Sequence, residues 1–387
     1  MINVAIIGTG GISPSHIKGY LTFPDRCKIV ALVDIYPEKA QAKKEEFDLK
    51  DATVYSNYKD ILDRKDIDLV SVCTPPYVHA QISIDSLMSG KNVLCEKPMA
   101  SSLEECDAMI KASKESGKTL GIVAQNRFRT PIMNLKKTLD ADLIGKLVWA
   151  EVDSYWWRGH SYYDLWWRGT WEKESGGCTL NHAVHHIDML NWMMGGTPKK
   201  VNAVLGNVAH DNSEVEDVSV AVLKYENGAM ARITSSLLHH GENQKVEFQG
   251  SKAKIAAPWS VTASDSKANG FPQNNPELEK EITKFYEELP ELKYEAHTGE
   301  IDNVLTALEN GTTPLIIGDS GRNTVELITA IYKSGFEERT IELPITKDDP
   351  WYTSEGIMKN VKPFYQKTTF VENFADQKIT TGSEYKK

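Results

Sequence analysis

The chain lacks most of the features that mark secreted, membrane or nucleic-acid-binding proteins. Cysteine is scarce: there are five in 387 residues. The number is odd, no CxxC pair occurs, and Cys73 and Cys95 lie in apolar, strand-like runs. That excludes a disulfide framework and fits buried thiols in a reducing compartment. Cys178 is weighed as a nucleophile and set aside for the same reason. No apolar run approaches the length that spans a bilayer. The stretch Val4 to Ile7 is short, follows no basic region and runs into a glycine-rich turn, so no secretory signal is expected there. Basic residues are outnumbered, 44 against 54, for a formal charge of −10. This speaks against nucleic acid or an anionic membrane as the main partner. Internal repeats and low-complexity segments are missing too. What remains is an ordinary soluble composition, 41% hydrophobic and 25% charged, long enough for two domains. The cytoplasm is the expected location.

The first third alternates strands and helices. Asn3 to Ile7 is a continuous β-branched run, as a buried parallel strand should be. Gly8-Thr9-Gly10-Gly11-Ile12-Ser13 follows. Gly8 permits a tight turn, Gly10 lets the backbone approach a pyrophosphate, and a helix from about Ser13 to Leu21 aims its N-terminus at the phosphates. Ser13 stands where the usual third glycine would be. A second strand, Lys28 to Val33, ends in Asp34, whose carboxylate suits ribose hydroxyls and repels a 2′-phosphate. No Arg follows it to welcome NADP, so NAD is favoured; the plainer use of Asp34 is to cap a helix starting near Pro37. Further strands end at Thr74-Pro75-Pro76 and at Glu96-Lys97-Pro98. Pro75 leaves backbone groups free to meet a cofactor, and a strand that stops at a charged pair places Lys97 at the crevice beyond the carboxyl ends. The pattern gives a parallel, doubly wound sheet over residues 1–124.

Gly8 to Ile12, Asp34, Thr74-Pro75-Pro76-Tyr77-Val78-His79 and Glu96-Lys97-Pro98, in this order and spacing, resemble the Gfo/Idh/MocA family of NAD(P)-dependent oxidoreductases. The resemblance extends over residues 1–345. It implies cofactor contacts at Gly8, Gly10, Gly11, Ile12, Asp34, Thr74, Pro75, His79, Glu96 and Lys97.

From residue 125 the pattern changes. A helix near Pro131 to Leu139 is followed by strands near Lys146–Asp153, Val201–Val208, Val218–Tyr225, Ala229–Leu237, Gln244–Phe248 and Lys252–Ala256, with a hairpin signal at Glu226-Asn227-Gly228. The expected second domain is α+β with an open, mostly antiparallel sheet through residue 387. Tryptophans crowd between Trp149 and Trp171, with Tyr155, Tyr162 and Tyr163, interleaved with Arg158, His160, Asp164 and Arg168. Aromatic faces stack on the apolar faces of sugar rings; a core cluster or a subunit interface is the blander use of the same residues. Next, Gly176-Gly177 precedes a helix expected to run unbroken to about Met194, with Asn181, His185 and Asp188 at i, i+4, i+7 on one face. His182, His185 and His186 invite a metal reading, but 185 and 186 point about 100° apart on a helix and no HExxH context supports it, so none is expected.

By the resemblance, Lys97 polarises the reacting hydroxyl, His185 takes its proton and Asn181 positions the substrate; many family members carry Asp at the last position. Trp167 and Arg168 resemble a segment near the cofactor. Arg127, Tyr155, Trp157, His182, Asp188 and His297 complete the expected substrate contacts. The partner is a small carbohydrate or cyclitol, and a homodimer or homotetramer through the second sheet. The activity implied is oxidation of a secondary ring hydroxyl with hydride transfer to NAD. Two rivals are a glycosidase or epimerase that oxidises transiently and a non-catalytic NAD(H)-binding regulator. The tail after Pro350 carries no motif; an arm onto a neighbouring subunit is one use for it.

Overall fold

The computed structural model describes residues 1–372, 374 and 385. Six parallel strands form the first sheet: β1 Ile2–Ile7, β2 Cys27–Val33, β3 Thr53–Tyr55, β4 Leu69–Val72, β5 Asn92–Cys95 and β6 Leu120–Ile122. Their order is β3-β2-β1-β4-β5-β6. The order reverses between β1 and β4, and that is where a doubly wound sheet opens its ligand crevice. The strands are buried on both faces because each crossover returns as a helix over the sheet; Val4, Ala5, Ile6, Leu69, Val70 and Val93 are inaccessible to solvent.

The second sheet has nine strands. It comprises β7 Leu147–Tyr155, β8 Lys200–Gly206, β9 Val218–Lys224, β10 Met230–Ser236, β11 Gln244–Gly250, β12 Ala253–Ala257, β13 Ser260–Ser266, β14 Pro272–Asn274 and β15 Ile341–Glu342, in the order β14-β13-β12-β11-β7-β10-β9-β8-β15. Within this sheet, only β7 and β10 pair in parallel among the described strands. Burial alternates along β7, β8, β9 and β11: one face is covered, in part by the helix Val184–Met194 on β7, and the other is open. The polar edge strands β13 and β14 were not expected, because their side chains are nearly all exposed and carry no apolar alternation.

The first cut falls close to the boundary expected at 124/125, and later residues rejoin the first unit. One compact unit holds residues 1–128 together with 293–325 and 352–357; the other holds 129–292, 326–351 and 358–387. The reason lies in the helix Ala296–Asn310. Its apolar stripe, Ile301, Val304 and Leu305, is buried with Ile17, Tyr20, Leu32 and Leu69 in one cluster of the first unit. An amphipathic helix goes where its apolar face is covered, whatever its place in the sequence.

Candidate functional site

In the first unit, the turn after β1 is shaped for a dinucleotide. Gly8 has φ +92°, and a Cβ there would sit 2.5 Å from the Cys73 carbonyl oxygen, so only glycine fits. At Gly10 and Gly11 a Cβ would meet nothing within 4 Å. These two glycines are not forced by protein neighbours; they leave an open backbone cradle. The helix Ser13–Leu21 begins at that cradle with no side-chain cap, which suits a phosphate at its N-terminus. The Thr74 hydroxyl oxygen is buried without a protein partner, a donor and acceptor left over for a ligand. Asp34 accepts from the Thr9 amide and hydroxyl, each at 2.8 Å, and from the Tyr36 amide at 3.0 Å. It therefore fixes the glycine turn, and its carboxylate keeps further lone pairs for hydroxyls. The helix that starts at Pro37 is preceded by Tyr36, not capped by Asp34. These features fit NAD.

His79 was expected among the cofactor contacts. Its two ring nitrogens lie 2.9 Å from the Pro98 carbonyl and 2.7 Å from the Thr74 carbonyl. It pins the end of β4 to the loop after β5 and has no ring nitrogen left for a ligand; burial lowers its pKa.

Glu96 and His297 also have protein partners that sequence reading did not foresee. Glu96 Oε1 accepts from His16 Nε2 at 2.9 Å and from His297 Nε2 at 3.3 Å, while Oε2 accepts from the Lys97 amide at 3.1 Å. Burial alone would raise the Glu96 pKa; the two imidazoles outweigh it and hold the carboxyl well below the usual range. A carboxylate only accepts, so each imidazole donates through Nε2. His16 Nδ1 then accepts from the Ser71 hydroxyl at 3.3 Å, which accepts from Tyr20 at 2.6 Å. Among the described residues, His16, Glu96 and His297 form the group whose donor atoms converge tightly enough for a metal, within 4.8 Å. His16 and His297 both aim Nε2 at the same Glu96 oxygen, so the group acts as a clamp on the residue before Lys97. Arg127, on the short turn Gln125–Phe128, is buried in this unit.

In the second unit the expected long helix is broken. A turn, Cys178–Asn181, is followed by the helix Val184–Met194. Asn181 donates its side-chain amide to the Gly176 and Gly177 carbonyls at 2.7 and 3.3 Å, and the Ala183 amide reaches back to Cys178 at 2.9 Å. Side-chain amides that bond nearby carbonyls compete with helix continuation. Asn181 thus stands on the preceding turn, and His185 and Asp188 share the helix. The three histidines diverge: His182 packs edge-on to Trp156 at 5.4 Å, and His186 Nε2 lies 2.7 Å from the Tyr385 hydroxyl. Gly177 is required, since a Cβ would meet the Glu216 carbonyl oxygen at 1.9 Å. Glu216, missed in the sequence, accepts from the Gly177 and Thr179 amides and the Tyr332 hydroxyl at 3.0, 2.9 and 3.0 Å. Burial pushes its pKa up to about 7, with those bonds opposing. Cys178 is buried, and burial pushes its thiol pKa well up, so it is inert as a nucleophile.

The aromatic segment is a knit of rings and charges. The Arg168 guanidinium lies over the Tyr162 and Trp167 rings at 4.2 and 4.3 Å and bonds Glu174 at 3.0 Å. Tyr155 stacks on His239 at 3.9 Å, and Trp157 is 45% exposed. Trp156, Tyr163 and Trp171 are buried. The cluster therefore divides between core and surface.

Comparison with known proteins accords with this geometry. Residues 2–123 match the model of an oxidoreductase family with an NAD-binding Rossmann fold, and residues 132–256 match the GFO/IDH/MocA C-terminal domain. The chain belongs to the Gfo/Idh/MocA family. It is an NAD-binding oxidoreductase. Inositol 2-dehydrogenase of Rhizobium meliloti is 26% identical, over 88% of this chain and 99% of its own. 2,7-anhydro-N-acetylneuraminate hydratase of Mediterraneibacter gnavus is 25% identical, over 88% and 96%. The structure of the WlbA dehydrogenase from Bordetella pertussis, in complex with NADH and UDP-GlcNAcA, superposes with a TM-score of 0.76 at 29% identity, covering 89% of this chain and 98% of that one. No helix among the described residues is long and apolar enough to cross a membrane.

Proposed function

We propose that the protein oxidises a secondary ring hydroxyl of a sugar, sugar derivative or cyclitol to a ketone. NAD, when bound, accepts the hydride. The Lys97 ammonium polarises the hydroxyl and stabilises the negative charge that develops on its oxygen. His185 accepts the hydroxyl proton, a task suited to a group that titrates near neutrality. Asn181 holds the ring, and a neutral amide cannot relay a proton. Asp188 lies on the same helix as His185, His182 closes the turn before it, and Trp167 and Arg168 bring a flat cationic surface.

The observation that carries the reading is the clamp on Glu96. The buried His16 imidazole, the partly buried His297 imidazole and the Lys97 amide fix one carboxylate at the carboxyl end of β5, beside the strand end that carries Thr74. Two histidines on one carboxylate fix the backbone of the residue that follows it. The relative named as an inositol dehydrogenase and the dehydrogenase solved in complex with UDP-GlcNAcA support a carbohydrate substrate. A redox-neutral reaction through transient oxidation is the second reading, favoured by the relative named as a hydratase, since hydration changes no net oxidation state.

A screen of cyclitols, hexoses, uronates and glycosides for NADH formation separates the two: net NADH supports the dehydrogenase, and substrate loss without NADH supports the second. On the substrate so found, Lys97→Ala and His185→Ala are each expected to lower kcat by about a hundredfold or more with NADH affinity retained, and the double variant is expected to be no worse than the poorer single. Additive losses would mean that the two groups do not serve the same oxygen.

A further inference from the structure

We propose that residues 364–371 are a strap that sets the shape of the aromatic segment 156–171 and so decides which sugar ring the protein accepts. The inference rests on the reading that this segment lines the sugar site. The segment has little regular structure of its own: a short turn at His160–Asp164 and one turn of helix at Trp171–Glu174. Rings held by loops lose position unless other groups fix them. Here the fixing comes from the far end of the chain. The Val371 amide donates to the Asp164 carbonyl at 2.8 Å, and the Trp166 amide donates back to the Val371 carbonyl at 3.0 Å. Phe364 donates its amide to the Glu214 carbonyl at 3.0 Å.

Two buried polar side chains lock the strap. Lys367 is 6% exposed; its ammonium donates to the Tyr163 carbonyl and lies 5.4 Å from the Phe370 ring. Burial lowers its pKa, and the carboxylates of Asp164, Glu174 and Glu214 pull the other way. Asn212 is 4% exposed. Its oxygen accepts from the Thr368 and Thr369 amides at 2.8 and 2.9 Å, and its amide donates to the Thr369 carbonyl and to Asp164 at 3.0 and 2.9 Å. Glu214 closes the loop by accepting from the Trp171 amide at 3.0 Å and from its indole at 3.2 Å. A buried lysine and a fully bonded asparagine are costly to install unless their partners must be held. The partners are Tyr163, Asp164 and Trp171, which bracket the exposed Trp166 and the Trp167-Arg168 pair.

Full-length Lys367→Met and Lys367→Arg proteins test this. Hydrogen exchange read by mass spectrometry is expected to quicken about tenfold at 160–168 in Lys367→Met, with NADH affinity unchanged within about twofold. On a substrate from the screen, KM is expected to rise about tenfold with kcat held within about threefold, and Lys367→Arg is expected to restore both. A strap that only stabilises the fold would lower the melting temperature and leave KM alone. Unchanged exchange at 160–168, or a kcat loss at constant KM, overturns the proposal. If Lys367→Met does not fold, Asn212→Ala carries the same readouts. Exchange and NADH binding need no sugar, so a screen that yields no NADH counts against the dehydrogenase while the exchange result still decides the strap.

Discussion

Two neighbouring glycines carry different burdens. Gly8 is demanded by the protein: its positive φ and the Cys73 carbonyl leave no room for a side chain. Gly10 has open space and is demanded only by a ligand. Gly8→Ala is therefore expected to destabilise the fold by about 1–3 kcal/mol in thermal melts. Gly10→Ala is expected to leave the melting temperature nearly unchanged and to weaken NADH binding, read by fluorescence titration. Equal effects on both quantities would mean that the cradle at Gly10 is structural. The turn chemistry of Gly8 and the acid at Asp34 were legible in the sequence because both act on neighbours in a single βαβ unit. The partners of Glu96 were not. His16 and His297 lie 80 and 201 residues away from it, and no local pattern says that two imidazoles will share one carboxylate.

At the scale of elements, the turn Cys178–Asn181 depends on Glu216, which sits just before β9. Its buried carboxyl prefers its proton, with a pKa of about 7 in the fold against about 4.3 in an unfolded chain. A raised pKa contributes stability that is fully present below the unfolded value and is lost as pH climbs through the folded one. Stability is thus expected to fall between about pH 4.5 and 7 by on the order of 3 kcal/mol from this group. Glu216→Gln should flatten that part of the profile in urea titrations at several pH values; an unaltered slope would show that Glu216 is ionised throughout. The break before the helix Val184–Met194 belongs at this scale as well. Periodicity placed Asn181 and His185 on one helix, and it cannot see a side chain that bonds two glycine carbonyls and ends the turn.

For the whole molecule, the open face of the second sheet is the feature to explain. Val204 pairs with Val220 across β8 and β9, and Val204, Val220 and Val222 are 70%, 41% and 40% exposed. Arg232 on the same face reaches Glu151 and Asp153 at 3.2 and 2.9 Å. An apolar stripe rimmed by both signs of charge is self-complementary, and a second copy of the chain is the occupant we propose. Val220→Asp is expected to reduce the assembly to single chains in size-exclusion chromatography with light scattering, with the NADH affinity kept. A wild-type protein that is already monomeric would remove the idea.

The sequence by itself determined the parallel sheet, the glycine turn, the acid after β2 and the succession of hairpins. Each of these is written in residues close together, where period, turn chemistry and β-branching act locally. Only the tertiary structure decided that the helix Ala296–Asn310 returns to the nucleotide unit, that two histidines clamp Glu96, that Glu216 supports the Gly177 turn, and that Lys367 holds the aromatic segment. Those are long-range choices, made by burial: a charged or polar group removed from water must find its partner wherever the fold brings one.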